Sequence, residues 1–163
     1  MEKLWSPWRS QYIDELNEEN GSEPCFICSA IKRGEPSSKA MSLCVSDTYI
    51  ALLNKYPYNA GHLLIAPARH VGEFTELTPA ELTDINLALQ QAIAALKAEM
   101  NPQGFNIGLN LGSVAGAGLP GHVHWHIVPR WNGDTNFMPL VSETKVVSQS
   151  MEEIYEKLLA RFK

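Results

Sequence analysis

Three histidines stand at alternate positions in the segment GHVHWHIVPRW: His122, His124 and His126, in a chain with five histidines in all. Imidazole is largely neutral near pH 7, and in that form it serves as nucleophile, proton carrier or metal ligand. Alternation with Val123, Trp125 and Ile127 is the period of a β-strand, so the spacing predicts a strand carrying all three rings on one face. Residues two apart on a strand are separated by roughly 6.6 Å, close enough for neighbouring rings to share one ligand or take separate partners just above the sheet. Pro129 has no N–H for a ladder, and pairing is expected to end about there. The plainer alternative is a polar stripe facing solvent above buried Val123, Trp125 and Ile127. The glycine-rich NLGSVAGAGLPG just before and Pro129-Arg130 just after weigh against it.

A second group is CFIC, which sets Cys25 and Cys28 at the spacing of metal-binding thiolates. The pair alone is also compatible with redox chemistry or with buried thiols. Zinc takes four tetrahedral ligands, so two thiolates require two further donors, and imidazoles would close the site. Cys44, the third cysteine, reads most simply as a small buried apolar residue.

These groups sit in a chain of 163 residues with 45% hydrophobic composition, the size of one globular domain with a substantial core. The first 23 residues are polar apart from LWSPW and YI, and read as an arm whose Trp5, Trp8 and Tyr12 dock on the domain or on a second subunit; residues 24–163 form the single domain. A net charge of −5 supplies no basic footprint for extended nucleic acid. A small anionic ligand is still compatible, because a loop of backbone N–H groups and a few arginines hold phosphate inside an acidic protein. No apolar run approaches the roughly 20 residues of a membrane span, and the first residues lack a signal-peptide core, so a cytoplasmic protein without membrane partners is expected.

The elements that must position the candidate residues follow from local pattern. CFICSAIKRG predicts a short helix stopped at Gly34. SLCVS and YIALLN predict two strands around Asp47, and HLLIAP a third, ended by Pro67. Thr78, Pro79 and Glu81 form a capping box with proline at the first helical position. The helix they open carries Leu82, Ile85, Leu89, Ile93, Leu96 and Met100 in one stripe and stops before Pro102. FNIGLNL predicts the strand that enters the glycine-rich loop, from which the histidine strand returns as a long-tipped hairpin. TKVVS predicts one more strand, and Ser150 with Glu153 caps a last helix through Ile154, Leu158 and Phe162. Strands grouped around one long helix give an α+β domain with a mainly antiparallel sheet.

His-x-His-x-His followed by apolar residues and Pro-Arg resembles the histidine triad superfamily of nucleotide hydrolases and transferases, and the resemblance covers most of the chain. LLNKYPYNAGHLLIAPARHV is similar to the family's ribose-binding and central-strand region. GLNLGSVAGAGLPGHVHWHIVPRWNGDTNF is similar to the bacterial branch that includes diadenosine tetraphosphate phosphorylases. The resemblance implies that His124 attacks the α-phosphorus of a dinucleoside polyphosphate to give a nucleotidyl-histidine, which phosphate or water then resolves. It implies that His126 contacts the phosphate or aids the leaving group and that His62 backs the catalytic strand; a buried histidine in a polar network is the other reading of His62. Asn54 is the expected ribose contact, with an asparagine turn before Pro57 as the alternative. Asn110, Ser113, Gly116 and Gly118, with His124 and His126, are expected around the nucleotide phosphates; for Asn110 the other reading is a strand-end asparagine that satisfies loop backbone. Two positions depart from the family pattern. Many members carry Gln followed by Ser or Thr before the histidine strand, where this chain reads Gly118, Leu119, Pro120 and Gly121. Phosphorylase members carry Gly-Ser where it has Ala117 and Gly118, which leaves the acceptor open.

Zinc-bearing relatives, the galactose-1-phosphate uridylyltransferases among them, complete the cysteine pair with a histidine after the central strand and the first histidine of the motif. The resemblance therefore implies a structural zinc on Cys25, Cys28, His70 and His122, with no organic cofactor, and a homodimer joined across the long helix and an edge strand. A nucleoside phosphoramidate hydrolase and a zinc-stapled nucleotide-binding module without activity are the competing functions.

Overall fold

The computed structural model describes residues 25–134 and 149–162. The arm over residues 1–23 and the strand expected in TKVVS lie outside the described residues. In chain order the elements are α1 (Phe26–Ile31), β1 (Ser42–Val45), β2 (Tyr49–Leu53), β3 (Leu63–Pro67), the long α2 (Pro79–Met100), β4 (Gly104–Leu109), β5 (Trp125–Arg130) and α3 (Met151–Leu159). The strands form one antiparallel sheet in the order β1-β2-β3-β5-β4. This is the α+β architecture expected.

β3 lies at the centre and is buried along its whole length, so its side chains serve two cores. Leu63 and Ile65 join Leu53, Trp125 and Ile127 beneath α2 and α3, against Ile85, Leu89, Leu96, Ile154 and Leu158. On the opposite face Leu64 and Ala66 join Ile50 and Leu52 beneath Ile27 and Ala30 of α1. Each fully buried Leu or Ile here contributes roughly 1.5–3 kcal/mol, which ties both faces of β3 to a fixed register.

α2 begins as its residues dictate. Thr78 Oγ1 accepts from the Glu81 N–H at 3.2 Å, and Glu81 Oε2 accepts from the Thr78 N–H at 2.8 Å. Asn101, left-handed at φ 45°, ends the helix before Pro102. Ser150 caps α3 by accepting from the Glu153 N–H at 3.1 Å, but this helix ends at Leu159. Phe162 reaches the core from the turn beyond instead of from the helix itself.

Two expectations about the histidine strand are corrected. The ladder begins at Trp125, not His122, because residues before it are held by side chains and by the loop after β3. The Val123 N–H donates to Val71 O at 2.8 Å, and Gly72 lies so close to Pro120 that a Cβ there would sit 3.0 Å from its carbonyl oxygen. Pairing also continues past Pro129. The β3 ladder ends at Ile127, but β4 pairs as far as Arg130, so proline falls where β5 has one strand neighbour. No helix among the described residues is long and apolar enough to cross a membrane.

Candidate active site and metal centre

The turn between β2 and β3 delivers the first histidine. Gly61 has φ +75°, a conformation that disfavours any side chain, and a Cβ there would lie 2.6 Å from Met100 Sδ. His62 follows and is fully buried. Its Nδ1 accepts from the Tyr58 N–H at 3.1 Å, with Asn54 Nδ2 at 3.3 Å on the same nitrogen. The ring proton is therefore on Nε2, which donates to His126 Nδ1 at 3.0 Å. In neutral His126 the proton is then on Nε2, and the Asn110 amide stands 3.5 Å from that nitrogen while donating to Gly116 O at 3.3 Å.

His124 is buried beside this pair, its ring centroid 5.1 Å from that of His126. Its Nδ1–H donates to the carbonyl of His122 at 2.8 Å, which leaves the lone pair on Nε2. Burial lowers the His124 pKa below the ordinary histidine value, against the opposing effect of the His122 carbonyl, so the neutral ring predominates near pH 7. A neutral imidazole with a fixed tautomer and one basic nitrogen is equipped to attack an electrophile.

Next to the histidines a cleft of about 520 Å³ runs over β4 and β5, bordered by Tyr58, Asn106, Asn110, Ala115, His126 and Arg130. Ser113 opens a single exposed turn between Gly112 and Gly116, both at positive φ, and neither it nor Gly118 borders the cleft. Gly116 takes part through its carbonyl, and Asn54 sits behind His62, its Oδ1 accepting from the Tyr56 N–H at 3.0 Å as in an asparagine turn.

Several residues at the cleft escaped the sequence reading. The Tyr58 ring lies 4.8 Å from that of His62. Asn59, buried, donates to Pro129 O at 2.9 Å and to Asp134 Oδ2 at 2.8 Å, satisfying a carbonyl beyond the end of the β3 ladder. Asp134 takes Arg130 in a bidentate pair, Nε at 2.5 Å and Nη2 at 2.9 Å, and Arg130 Nη1 donates to Asn106 Oδ1 at 2.7 Å. The usable signal was an arginine and an aspartate four residues apart across the Asn132-Gly133 turn.

The second group assembles at the other end of the histidine segment. Cys25 and Cys28, at the start of α1, and His70 and His122 present four donor atoms within 4.8 Å of one another. His122 Nδ1 is 3.3 Å from Cys25 Sγ and 3.5 Å from Cys28 Sγ, and His70 Nδ1 is 3.2 Å from Cys28 Sγ. A tetrahedron with metal bonds of ~2.1–2.3 Å has edges of roughly 3.4–3.8 Å, so the donor set is of the right size and chemistry for a zinc ion. The Nε2–H of His122 donates to Pro67 O at 2.9 Å, turning the Nδ1 lone pair toward the sulfurs. Burial, with Cys25 adjacent, pushes the Cys28 thiol up to about 11. A cation among the four would reverse that and hold both sulfurs as thiolates.

Residues 35–133 match the family model described as the HIT domain. The chain is 35% identical over 164 residues to the AP-4-A phosphorylase of Mycobacterium tuberculosis, covering 98% of this chain and 83% of that one. It is 34% identical over 106 residues to the asymmetrical bis(5'-nucleosyl)-tetraphosphatase of Schizosaccharomyces pombe, covering 64% of this chain and 58% of that one. Among solved structures, a zinc-bound histidine triad family protein from Mycobacterium smegmatis superposes with a TM-score of 0.66 at 24% identity, over 85% of this chain and 92% of that one, a likeness of fold. The motif, the sheet that carries it and the family match over most of the domain agree, and the chain belongs to the HIT domain family.

Proposed function

We propose that the protein cleaves dinucleoside polyphosphates through a nucleotidyl intermediate on His124. The observation that carries the reading is the hydrogen bond from His124 Nδ1–H to the His122 carbonyl, which fixes the tautomer of a buried ring and leaves its one basic nitrogen at Nε2. Two relatives are named for this chemistry, as phosphorylase and tetraphosphatase.

In the first step His124 Nε2 attacks the α-phosphorus; a phosphorus–nitrogen bond forms as the phosphorus–oxygen bond to the departing nucleoside polyphosphate breaks. His126, held by His62 with its proton on Nε2, donates a hydrogen bond to the oxygens that gain charge. The Asn110 amide, beside His126 at the border of the cleft, supplies a further donor, and Asn54 holds the ribose. In the second step an oxygen of phosphate or water attacks the same phosphorus and the phosphorus–nitrogen bond breaks, restoring His124.

Cys25, Cys28, His70 and His122 hold a structural zinc. When bound, the ion staples α1 and the loop after β3 to the start of the histidine segment. Two copies of the chain join through the edge strand β4 and α2, whose Ile107 and Leu87 are exposed apolar side chains. Light scattering at micromolar concentration is expected to read twice the chain mass, and a monomeric mass overturns this.

Incubation with diadenosine tetraphosphate, with and without inorganic phosphate, tests the main reading. ADP and ATP report phosphorolysis, AMP and ATP hydrolysis, and the absence of turnover sinks the enzyme assignment in favour of a binding module.

A further inference from the structure

We infer that Asn106 is a specificity-determining residue that binds the phosphorylated leaving half of the substrate, held in place by Arg130 and Asp134. The inference rests on the cleavage reading above and adds a residue to it.

The β4–β5 register places Gly108 opposite His126, Asn106 opposite Val128 and Gly104 opposite Arg130. Asn106 is therefore on the same face as His126, one same-face step of roughly 6.8 Å further along the sheet. The two glycines that flank it leave the floor open, since a Cβ at either would meet nothing within 4 Å. The cleft runs along this floor from Asn110 past His126 to Asn106 and Arg130. Asn54, the proposed ribose contact, follows β2, and β2 lies on the far side of β3 from β5. With the nucleoside that stays on His124 placed there, the β4 side of His126 receives the half that departs.

The chemistry of the Asn106 end is set by its neighbours. Arg130 can only donate, so the Asn106 atom 2.7 Å from its Nη1 is the amide oxygen, and the NH₂ group is left as the ligand-facing end. Asp134 takes the Nε and Nη2 donors along one edge of the guanidinium and is itself fixed by Asn59 and by the Trp131 N–H at 3.2 Å. The arginine charge is thus already paired. Beside that balanced guanidinium, Asn106 offers the cleft an oriented neutral donor, suited to a phosphate or hydroxyl oxygen and indifferent to an aryl leaving group.

The test compares two substrates of the same nucleotide: diadenosine tetraphosphate, and a nucleoside monophosphate aryl ester whose leaving group carries no phosphate. For Asn106→Ala the ratio of kcat/KM for the tetraphosphate to that for the ester is expected to fall about tenfold, the loss of one hydrogen bond to a charged group. Asn106→Asp separates a donor from a structural prop, because the carboxylate still accepts from Arg130 but offers no N–H. Its ratio is expected to fall at least as far as that of Asn106→Ala. Recovery of the ratio in Asn106→Asp, or a uniform loss on both substrates in either variant, overturns the inference and leaves the cleavage reading standing. Failure of the unmodified protein to turn over either substrate overturns both.

Discussion

The Nδ1–H of His124 donates to the main-chain carbonyl of His122 at 2.8 Å, and the ring of that same His122 faces two cysteine sulfurs. One residue thus orients the proposed nucleophile with its backbone and completes the four-donor cluster with its side chain. His124→Ala is expected to retain less than about a hundredth of wild-type turnover while still folding and binding nucleotide, since bond making is lost and the core is not. Rates of purified variant and wild type, with circular dichroism as the check on folding, decide this; higher residual turnover overturns the covalent route.

Metal analysis of protein purified without chelator is expected to find about one zinc per chain. Cys28→Ser removes one of four donors and is expected to lower Tm by more than about 5 °C, with a smaller loss of turnover per folded molecule, because the ion acts on the fold. A well-folded, active wild-type preparation with clearly less than one zinc per chain would return Cys25 and Cys28 to buried thiols.

The Arg69 guanidinium, with the Thr78 N–H, holds the Glu81 carboxyl down to about 2 from an ordinary value of 4.5. A carboxylate with a depressed folded-state pKa stabilises the protein above its unfolded pKa and loses that contribution as pH falls through the folded one. The window here is pH 4.5 to about 2. Glu81→Gln is expected to lower Tm at pH 7 and to show a smaller fall in Tm across that window than the wild type. Thermal melts at several pH values read both effects, and an equal fall in the two proteins removes Glu81 as a source of acid sensitivity.

Much of the site was legible without coordinates. Period-two alternation placed the histidines on one extended segment, and the capping box and Pro102 placed the two ends of α2, because these depend on neighbours one to four residues away. The cysteine spacing pointed to a metal for the same reason. Where the ladder starts was not local: His122 lies before the strand because its ring is committed to Cys25, Cys28 and Pro67, up to 97 residues distant. Pro129 was read as a stop because its missing N–H is visible in the sequence, whereas the number of neighbours β5 has at that point is a property of the sheet.

The residue types and spacings of the sequence by themselves determined most of the elements among the described residues, the histidine motif and the family it resembles. Only the tertiary structure decided how each imidazole is partnered, and so where each proton sits. Tyr58 N–H sets the tautomer of His62, His62 sets that of His126, and the His122 carbonyl sets that of His124. Asn106 carried no signal of its own in FNIGLNL; Arg130, paired with Asp134 across a turn, orients its amide. A hydrogen bond is made between atoms that folding brings within about 3 Å, and no pattern along one strand specifies which partner arrives from another.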